Sequence, residues 1–457
     1  MKHMRTFNVY LAILATGVLT FSGVLIETAM NVTFPTLIAQ FNISTVQVQW
    51  VTTIYLLMIS IIVPLSSYLT KNYSMKNLFT SAIILFILGV SINCIPINFS
   101  LLLMGRVFQG IATGIALPLM FSIILTKVPL KNRGMMIGVG TLTTSIAPAL
   151  GPTYGGLLTS TLGWSYIYIF LLPVLAIAAI IGLYAIPEEP VEKTEKLNLP
   201  ATLALAVMFS SLLLSFNYFE QPIFWLILVI GIGSVLIFYE CNKKNPLLDL
   251  SVFQNQPFRS CLFGFLVFQA MLLGVSFIIP NFMQIVFKTS ASQAGGMMFP
   301  GALVGAVFAP ISGKILDRLG AKKPILLGLI LSLTGWSLLS LLLASGTIYL
   351  IIGCHVLFMI GLGLAYSNLM TVGLSAISVE KQSDGNAVFS TLQQFIGAVS
   401  TAFAALILNL SQKSASNPAA GTVIGGKLTL LCLLALLILS FVIIFIRLVV
   451  LPAKAVD

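Results

Sequence analysis

The sequence predicts an all-α integral membrane protein that crosses the bilayer fourteen times, as two six-helix halves with an extra helix pair inserted between them. Three observations predict this class: the composition, the number of long apolar runs, and a motif that occurs once in each half of the chain. Of the 457 residues, 58% are hydrophobic and 8% are charged, whereas about 25% of the residues of a soluble globular domain are charged. The composition therefore excludes a soluble enzyme and a disordered protein.

The positive charge of the chain does not indicate a nucleic-acid partner. The formal net charge is +11, but the basic residues lie in short loops between apolar runs, which is a membrane-topology pattern and not a phosphate-binding face. The five cysteines are widely spaced and show no Cys-x-x-Cys or Cys/His ligand pattern. We therefore interpret them as buried apolar side chains and expect neither a disulfide nor a metal site.

Fourteen apolar runs are long enough to cross a membrane, for which about 20 mainly apolar residues are needed. Because the hydrophobicity within each run is continuous and does not alternate, the runs predict helices and not the strands of a β-barrel. The first run is longer than the apolar region of a signal peptide, so we expect it to remain as the first helix. The runs lie near residues 8–30, 48–70, 78–97, 100–125, 134–157, 164–186, 199–216, 222–240, 258–286, 293–316, 323–344, 347–375, 387–410 and 427–450.

The distribution of lysine and arginine predicts the orientation of the helices. Nineteen of these residues lie at the termini and in the loops on the same side, against three, Lys288, Lys413 and Lys427, in the loops on the other side. Loops rich in lysine and arginine remain in the cytoplasm. We therefore expect a multi-pass membrane protein with both termini in the cytoplasm.

A repeated motif divides the chain. Residues 64–76 resemble residues 310–323, and both segments follow the second predicted span of their half. Duplicated halves around a midplane site are typical of secondary transporters, and chance similarity between Gly- and Leu-rich segments is the alternative. The predicted parts are an N-terminal six-helix half (1–190), a linker with two extra spans (191–254) and a C-terminal six-helix half (255–457).

Glu27 is the leading functional candidate, because few charged residues lie far from a membrane face. A charge in the membrane costs about 2.5–3.5 kcal/mol on insertion scales, so such residues usually face the bundle interior and mark a pathway. Asn31 lies one helical turn further on the same face, which indicates a polar lining. Burial favours the protonated carboxyl, which can hold a proton or, once ionised, serve as counter-ion to a lipophilic cation. The alternative is an interfacial glutamate without a function.

Arg106 and His355 are two further intramembrane candidates for proton coupling. Arg106 cannot lose its charge and must find a partner. It either promotes proton release from a nearby acid or fixes neighbouring helices by hydrogen bonds. Gln109 lies about one turn further along the same helix. The ordinary pKa of histidine suits proton transfer, but a single histidine in an apolar helix is also typical of a hydrogen-bonded core residue.

Most of the abundant aromatic and sulfur-containing side chains are expected to face lipid or the protein core, and a minority could line a permissive binding pocket. The chain contains 31 Phe, 12 Tyr, 4 Trp and 16 Met, and adaptable walls of this kind suit promiscuous binding. There is no catalytic constellation and no Walker loop, so we expect a gradient-driven protein that is not an enzyme. The residues expected to bind substrate are Glu27, Met30, Asn31, Tyr55, Gln109, Gln269, Tyr366 and Gln393.

Several motifs together resemble those of the major facilitator superfamily, and most closely its fourteen-span drug:proton antiporter family, the group of the QacA-type exporters. Residues 27–35 are similar to the family's first-helix signature, residues 105–110 to its fourth-helix arginine motif, and residues 151–156 to its antiporter motif. The resemblance covers nearly the whole chain. The composition, rich in Lys, Asn and Ile, is similar to that of SdrM-like exporters of Gram-positive bacteria.

The resemblance implies the major facilitator fold and a set of gating residues, with two departures from the family pattern. The first inner loop normally carries an aspartate in Gly-x-Leu-x-Asp-Arg-x-Gly, but Lys71 occupies that position here, and only the second copy keeps the pattern. Glu27 replaces the usual aspartate of the first helix. The residues implied in gating and motif contacts are Gly151, Pro152, Gly155, Gly313, Asp317 and Arg318.

The resemblance and the site residues together predict a proton-coupled multidrug efflux antiporter that exports hydrophobic and cationic compounds by alternating access. We expect Glu27, Arg106 and His355 to couple protons, which serve as the coupling ion without any cofactor. The expected partners are small-molecule drugs, protons and the lipid bilayer, and the protein is expected to be a monomer. The alternatives are a dedicated exporter of one metabolite, lipid or siderophore, and a non-transporting membrane sensor or scaffold.

Overall fold

The structure is a computed structural model that describes residues 8–450, apart from residues 190, 192–195, 245, 345, 379 and 380. Every regular element in this part of the chain is helical. Thirteen helices are long and apolar enough to cross a membrane. The predicted fifth span falls on a further helix of 32 residues, Leu130–Thr161, which is not one of those thirteen. The all-helical membrane fold is confirmed, and the count of fourteen crossings stays a prediction.

The helices are grouped in chain order by the three predicted parts, and that division stays a prediction. Two short 3₁₀ segments, Val63–Leu65 and Leu250–Gln254, interrupt them. The first group is α1 (Val9–Phe41), α2 (Thr45–Val48), α3 (Trp50–Ile62), α4 (Ser66–Asn72), α5 (Met75–Asn93), α6 (Phe99–Lys127), α7 (Leu130–Thr161), α8 (Tyr166–Ile169) and α9 (Leu171–Ala185). The inserted pair is α10 (Leu199–Asn217) and α11 (Ile223–Lys244), and the last group is α12 (Gln256–Ile285), α13 (Ala291–Leu319), α14 (Lys322–Leu342), α15 (Ile348–Ser375), α16 (Gln382–Ser414) and α17 (Pro418–Phe445).

Polar caps in the loops determine where many of these helices begin. Ser44 accepts a hydrogen bond from the backbone N–H of Gln47, whose side chain accepts one from the backbone of Ser44. Ser290 and Gln293 form the same reciprocal cap at the start of α13. Such a capping box satisfies backbone donors that the first helical turn leaves free. The same cap therefore begins the second crossing of each half, a repeat signal that sequence reasoning missed.

Short connections make successive crossings antiparallel, so the bundle has two sides. The backbone N–H of Asn8 donates to the carbonyl of Ala185 at 3.1 Å, which places the start of α1 beside the end of α9. Arg447, just after α17, donates to the side chain of Gln256 at the start of α12, at 2.5 Å. We call this side of the bundle the terminal side and the other side the opposite side.

The two halves contact each other closely on the opposite side. Thr153 of α7 donates to the carbonyl of Gly295 of α13 at 3.3 Å. Gln284 of α12 donates to the carbonyl of Val32 in α1 at 3.0 Å, and Thr45 donates to Gln412 of α16 at 3.1 Å. Several helices of both halves take part, so the space between the halves is closed at this side.

The inserted pair packs over the seam where α3 meets α16. Helix α10 contacts both of these helices, and the ring of Phe209 stacks on Phe395 of α16 at a centroid distance of 4.0 Å. In the loop between the two inserted helices, Glu220 forms an ion pair with Lys413 at 2.5 Å. Helix α11 is the outer member, and large apolar side chains such as Trp225, 68% exposed, face outward. The pair is therefore anchored mainly to the second half.

Glycine makes the contact between α7 and α13 possible. A Cβ atom on Gly295 would collide with the carbonyl of Pro152, whereas one on the neighbouring Gly296 would meet no atom within 4 Å. We expect Gly295→Ala to separate the two helices and lower the free energy of unfolding by about 1–3 kcal/mol. Gly296→Ala, the matched control, should stabilise α13 by about 1 kcal/mol because alanine favours the helix.

Thermal unfolding in detergent measures both variants. A second readout is the rate at which a cysteine placed near Thr153 reacts with a polar thiol reagent from the opposite side, which Gly295→Ala should increase. Equal melting temperatures for the two variants would contradict a closed contact at Gly295.

Candidate functional site

Glu27 lies just past the middle of α1, as the nineteenth of 33 residues. Its side chain is 5% exposed, and it makes neither a hydrogen bond nor an ion pair with the described residues. The charges and polar rings that face it come from three other helices. They are the Arg106 guanidinium of α6, the Tyr55 hydroxyl of α3 and the Tyr366 hydroxyl of α15. Glu27 therefore lies inside the first half and within electrostatic range of a side chain of the second half.

Arg106 is fully buried and held by three different contacts. Its Nε donates to the carbonyl of Val51 at 2.8 Å, and its Nη1 donates to the side-chain oxygen of Gln109 at 2.8 Å. The guanidinium also lies over the ring of Tyr55, 4.2 Å from the ring centroid. No carboxylate of the described residues forms an ion pair with it, so Glu27 is the acid whose charge it balances at a distance. These contacts tie α3 to α6 through Arg106, and its role in proton coupling stays a prediction.

The other candidates of the first half are all fully buried. The Tyr55 hydroxyl donates to Thr113 at 3.1 Å, and Gly23, one turn before Glu27, leaves room for both groups. The Asn31 carbonyl oxygen accepts a hydrogen bond from Thr52 at 2.8 Å. Met30 is fully buried. These contacts join α1, α3 and α6 into one polar layer.

Three of the predicted binding residues meet in the second half, although they lie on three different helices. The Tyr366 hydroxyl donates to the side-chain oxygen of Gln269 at 2.5 Å and accepts a hydrogen bond from Gln393 at 2.7 Å. The Tyr366 ring stacks on Phe265 at 4.3 Å with the two planes 7° apart. Sequence reasoning missed Phe265, because nothing distinguishes it from the other 30 phenylalanines. We call Gln269, Tyr366 and Gln393 the tyrosine cluster.

His355 lies apart from the tyrosine cluster, between α15 and α13. The side chain is 2% exposed, its ring lies against Gly301, and its Nδ1 has no partner among the described residues. The structure therefore shows a tightly packed imidazole, and its proton-coupling role stays a prediction.

The predicted gating residues fall into two groups. Gly151 and Gly155 let α7 approach the backbone of α1, and the carbonyl of Pro152 faces Gly295 of the second half. In the second copy of the inner-loop motif, a Cβ on Gly313 would meet no atom within 4 Å, and Arg318 is exposed. The side chain of Asp317 lies outside those that the structure describes.

The first half also buries polar side chains that sequence reasoning did not single out. Asn93, at the end of α5, and Tyr168 of α8 are both almost fully buried, and the Tyr168 hydroxyl lies beside Asn93 and Arg106. An asparagine at the end of an otherwise apolar run was the available signal. No polar side-chain atom of Asn93 or Tyr168 has a well-aligned hydrogen bond to the described residues, even though the Tyr168 hydroxyl is close enough to Asn93 and Arg106 to interact with both. An unsatisfied buried polar group costs about 1–3 kcal/mol, so these groups require an explanation.

Three comparisons with known proteins agree with this fold. The family model described as Major Facilitator Superfamily matches residues 16–402. The chain is 30% identical to the lincomycin resistance protein LmrB of Listeria monocytogenes over 88% of this chain and 87% of that protein. It is 27% identical to the riboflavin transporter RibZ of Clostridioides difficile over 88% of both chains. The fold is similar to that of a POT family transporter solved with 5-aminolevulinic acid, with a TM-score of 0.68, 14% identity, and 94% and 96% of the two chains covered.

The tyrosine cluster predicts a measurable stability effect. Tyr366→Phe keeps the ring stack on Phe265 but removes the hydroxyl that both glutamines use. Because hydrogen bonds between membrane helices contribute on the order of 1 kcal/mol each, we expect the free energy of unfolding to fall by about 1–2 kcal/mol. Tyr349→Phe is the matched control, because Tyr349 is 85% exposed and should leave thermal unfolding unchanged. An equally small shift in both variants would show that the cluster does not hold the three helices together.

Proposed function

This chain belongs to the Major Facilitator Superfamily, and we propose that it is a proton-coupled antiporter that exports hydrophobic and cationic drugs. The similarity to a lincomycin resistance protein supports drug efflux. The observation that carries the coupling is Glu27, the one buried acid among the described residues. Within this proposal the protein is a monomer of a bacterial cell membrane, belongs to the fourteen-span drug:proton antiporters, is not an enzyme, and needs no cofactor besides protons.

The setting of Glu27 supports competition between a proton and a cation. A carboxylate without a hydrogen bond in an apolar surrounding is unfavourable, so it favours either a bound proton or a bound cation. Arg106 keeps its own charge at every relevant pH and favours release of the proton when no drug is bound. A lipophilic cation that enters beside Glu27 replaces the proton as the compensating charge. The two ligands therefore exclude each other at one site.

Mutual exclusion of proton and drug at Glu27 produces antiport when each conformation of the protein opens the site to only one side of the membrane. The contacts of Thr153, Gln284 and Thr45 close the halves on the opposite side. By the distribution of lysine and arginine, the terminal side is the cytoplasmic side. The observed conformation then receives drug from the cytoplasm, and separation of α7 from α13 releases it outside, where a proton binds Glu27. Closure and reopening towards the cytoplasm reset the site.

The walls of the site support broad recognition. Glu27 and Asn31 contribute the polar side from the first half, and the tyrosine cluster with Phe265 contributes an aromatic and amide side from the second half. Aromatic faces attract cations, and amide groups adapt to different hydrogen-bonding partners. A drug bound between them would contact both halves and be sensitive to their relative position.

Glu27→Gln tests the coupling directly. The amide carries no negative charge at any pH, so the variant should bind a fluorescent lipophilic cation weakly and lose the pH dependence of binding. In the wild type, lowering the pH protonates Glu27, removes the counter-ion and weakens binding. Glu188→Gln is the control, because Glu188 is exposed and should behave like the wild type. An undiminished pH dependence in Glu27→Gln would remove Glu27 from the mechanism.

Export of one metabolite is the second candidate, favoured by the similarity to a riboflavin transporter. The two candidates differ in substrate range. A multidrug exporter should transport chemically unrelated cations and lincomycin into inverted vesicles with similar, modest affinities. A permissive pocket is not shaped for any one compound and therefore contributes little binding free energy to each. A dedicated exporter should bind riboflavin or another single compound at least about 100-fold more tightly than the others. Transport assays with a panel of labelled compounds distinguish them.

A further inference from the structure

Four buried side chains of the first half, Asn93, Arg106, Gln109 and Tyr168, lie together without enough protein partners. Five of their polar atoms have no hydrogen-bond partner among the described residues: Asn93 Nδ2 and Oδ1, Arg106 Nη2, Gln109 Nε2 and Tyr168 Oη. All four side chains are at most 1% exposed. We call them the buried polar cluster.

Packing of α5, α6 and α8 brings the cluster together. The Asn93 amide lies directly against the backbone of Gly105, where a Cβ atom would collide with it. The Cγ of Gln109 packs closely against Gly89, and the side-chain oxygen of Gln109 accepts the hydrogen bond from Arg106. Small residues on both helices therefore provide the space that the polar groups occupy.

Internal water is the ligand that fits this chemistry. Buried polar groups in proteins are nearly always hydrogen-bonded, and a buried water typically makes about three hydrogen bonds to groups that lack a partner. The orphaned atoms include both donors and acceptors, as a chain of water molecules requires. An apolar ligand would leave all five atoms unsatisfied, and an anion would meet only Arg106 as a charged partner.

The cluster extends from the edge of the bundle to the site. Asn93 is the last residue of α5, two residues before Ile95, which is 57% exposed on the opposite side. Arg106 is at the inner end, where it interacts electrostatically with Glu27. The other groups that face Glu27 are Tyr55 of α3 and Tyr366 of α15. Within the cluster, Asn93 is thus the member nearest the opposite side, and Arg106 is the member that interacts with the acid.

We propose that Asn93, Arg106, Gln109 and Tyr168 hold water molecules through which protons reach Glu27 from the opposite side. This inference rests on the proposed function, since it assigns a route to the proton of that same site. The route passes between α5, α6 and α8 and does not use the space between the halves. Proton and drug then reach Glu27 by separate paths, but only one of them occupies the site at a time.

Hydroxyl-radical footprinting tests for the water itself. Radicals that X-rays produce from bound water modify the side chains next to it, even where bulk solvent does not reach. We expect modification of Tyr168 in the full-length protein in nanodiscs. Trp336 is the internal control, because it is equally buried and its Nε1 already donates to the carbonyl of Leu430 at 2.9 Å. Modification of Tyr168 no greater than that of Trp336 would overturn the proposal.

Proton kinetics test the route. Asn93→Leu should remove the modification of Tyr168 and slow proton uptake after a pH jump by roughly tenfold or more, while the affinity for tetraphenylphosphonium at fixed pH stays unchanged. Asn281→Leu is the matched control, because Asn281 is as buried but donates within its own helix, to the carbonyl of Phe277. Tyr168→Phe, with Tyr154→Phe as its control, repeats the test if Asn93→Leu does not fold.

The outcomes separate this inference from the proposed function. Drug efflux with normal proton uptake in both Asn93→Leu and Tyr168→Phe would overturn the route and leave the antiporter intact. Absence of drug efflux from wild-type vesicles would overturn the antiporter and the proton role of the waters together. Slow uptake in the cluster variants, with normal uptake in their controls, would support the route.

Discussion

A buried carboxyl group without a hydrogen bond is the constraint on which the rest of this structure depends. Glu27 is 5% exposed, and the permanent cation that balances it, Arg106, acts from a distance and not through an ion pair. Arg106 is itself fixed by Val51, Gln109 and the Tyr55 ring. A fixed, partly compensated acid of this kind is sensitive to any second positive charge, which is the property that coupled transport requires.

The acid lies on a helix that packs against α7, the helix that also contacts the second half. Gly155 of α7 lets this helix approach Ala29 of α1, and Gly295 of α13 lets that helix approach Pro152 of α7. The same helix therefore contacts the helix that carries Glu27 and the neighbouring half. A change in the α7–α13 contact would be transmitted to α1 through backbone contacts, which are much less deformable than side chains. The inserted pair lies away from this contact, over the seam of α3 and α16.

The sequence predicts the helices, because lipid imposes long apolar runs, and each charge within such a run is conspicuous. Glu27 and Arg106 were singled out as such charges, and Asn31 because it lies one turn from Glu27 on the same face. Their functional roles stay predictions. The tyrosine cluster could be named residue by residue but not as a hydrogen-bonded unit, since its three members come from three helices whose relative rotation depends on packing. Asn93 and Tyr168 were missed, because an amide or a hydroxyl in an apolar run gives a weak signal until its lack of a partner is visible. Lys71, which stands in place of the family aspartate, lies within electrostatic range of Asp384 of α16.

The most direct test of the central claim is the number of protons released when a cation binds. Titration calorimetry of the wild-type protein with tetraphenylphosphonium, repeated in buffers of different ionisation enthalpy, gives this number without any transport step. If Glu27 is shared between proton and drug, about one proton should leave for each cation bound at a pH where Glu27 is protonated. Binding of the cation without proton release, across the whole pH range in which the protein is stable, would contradict the account.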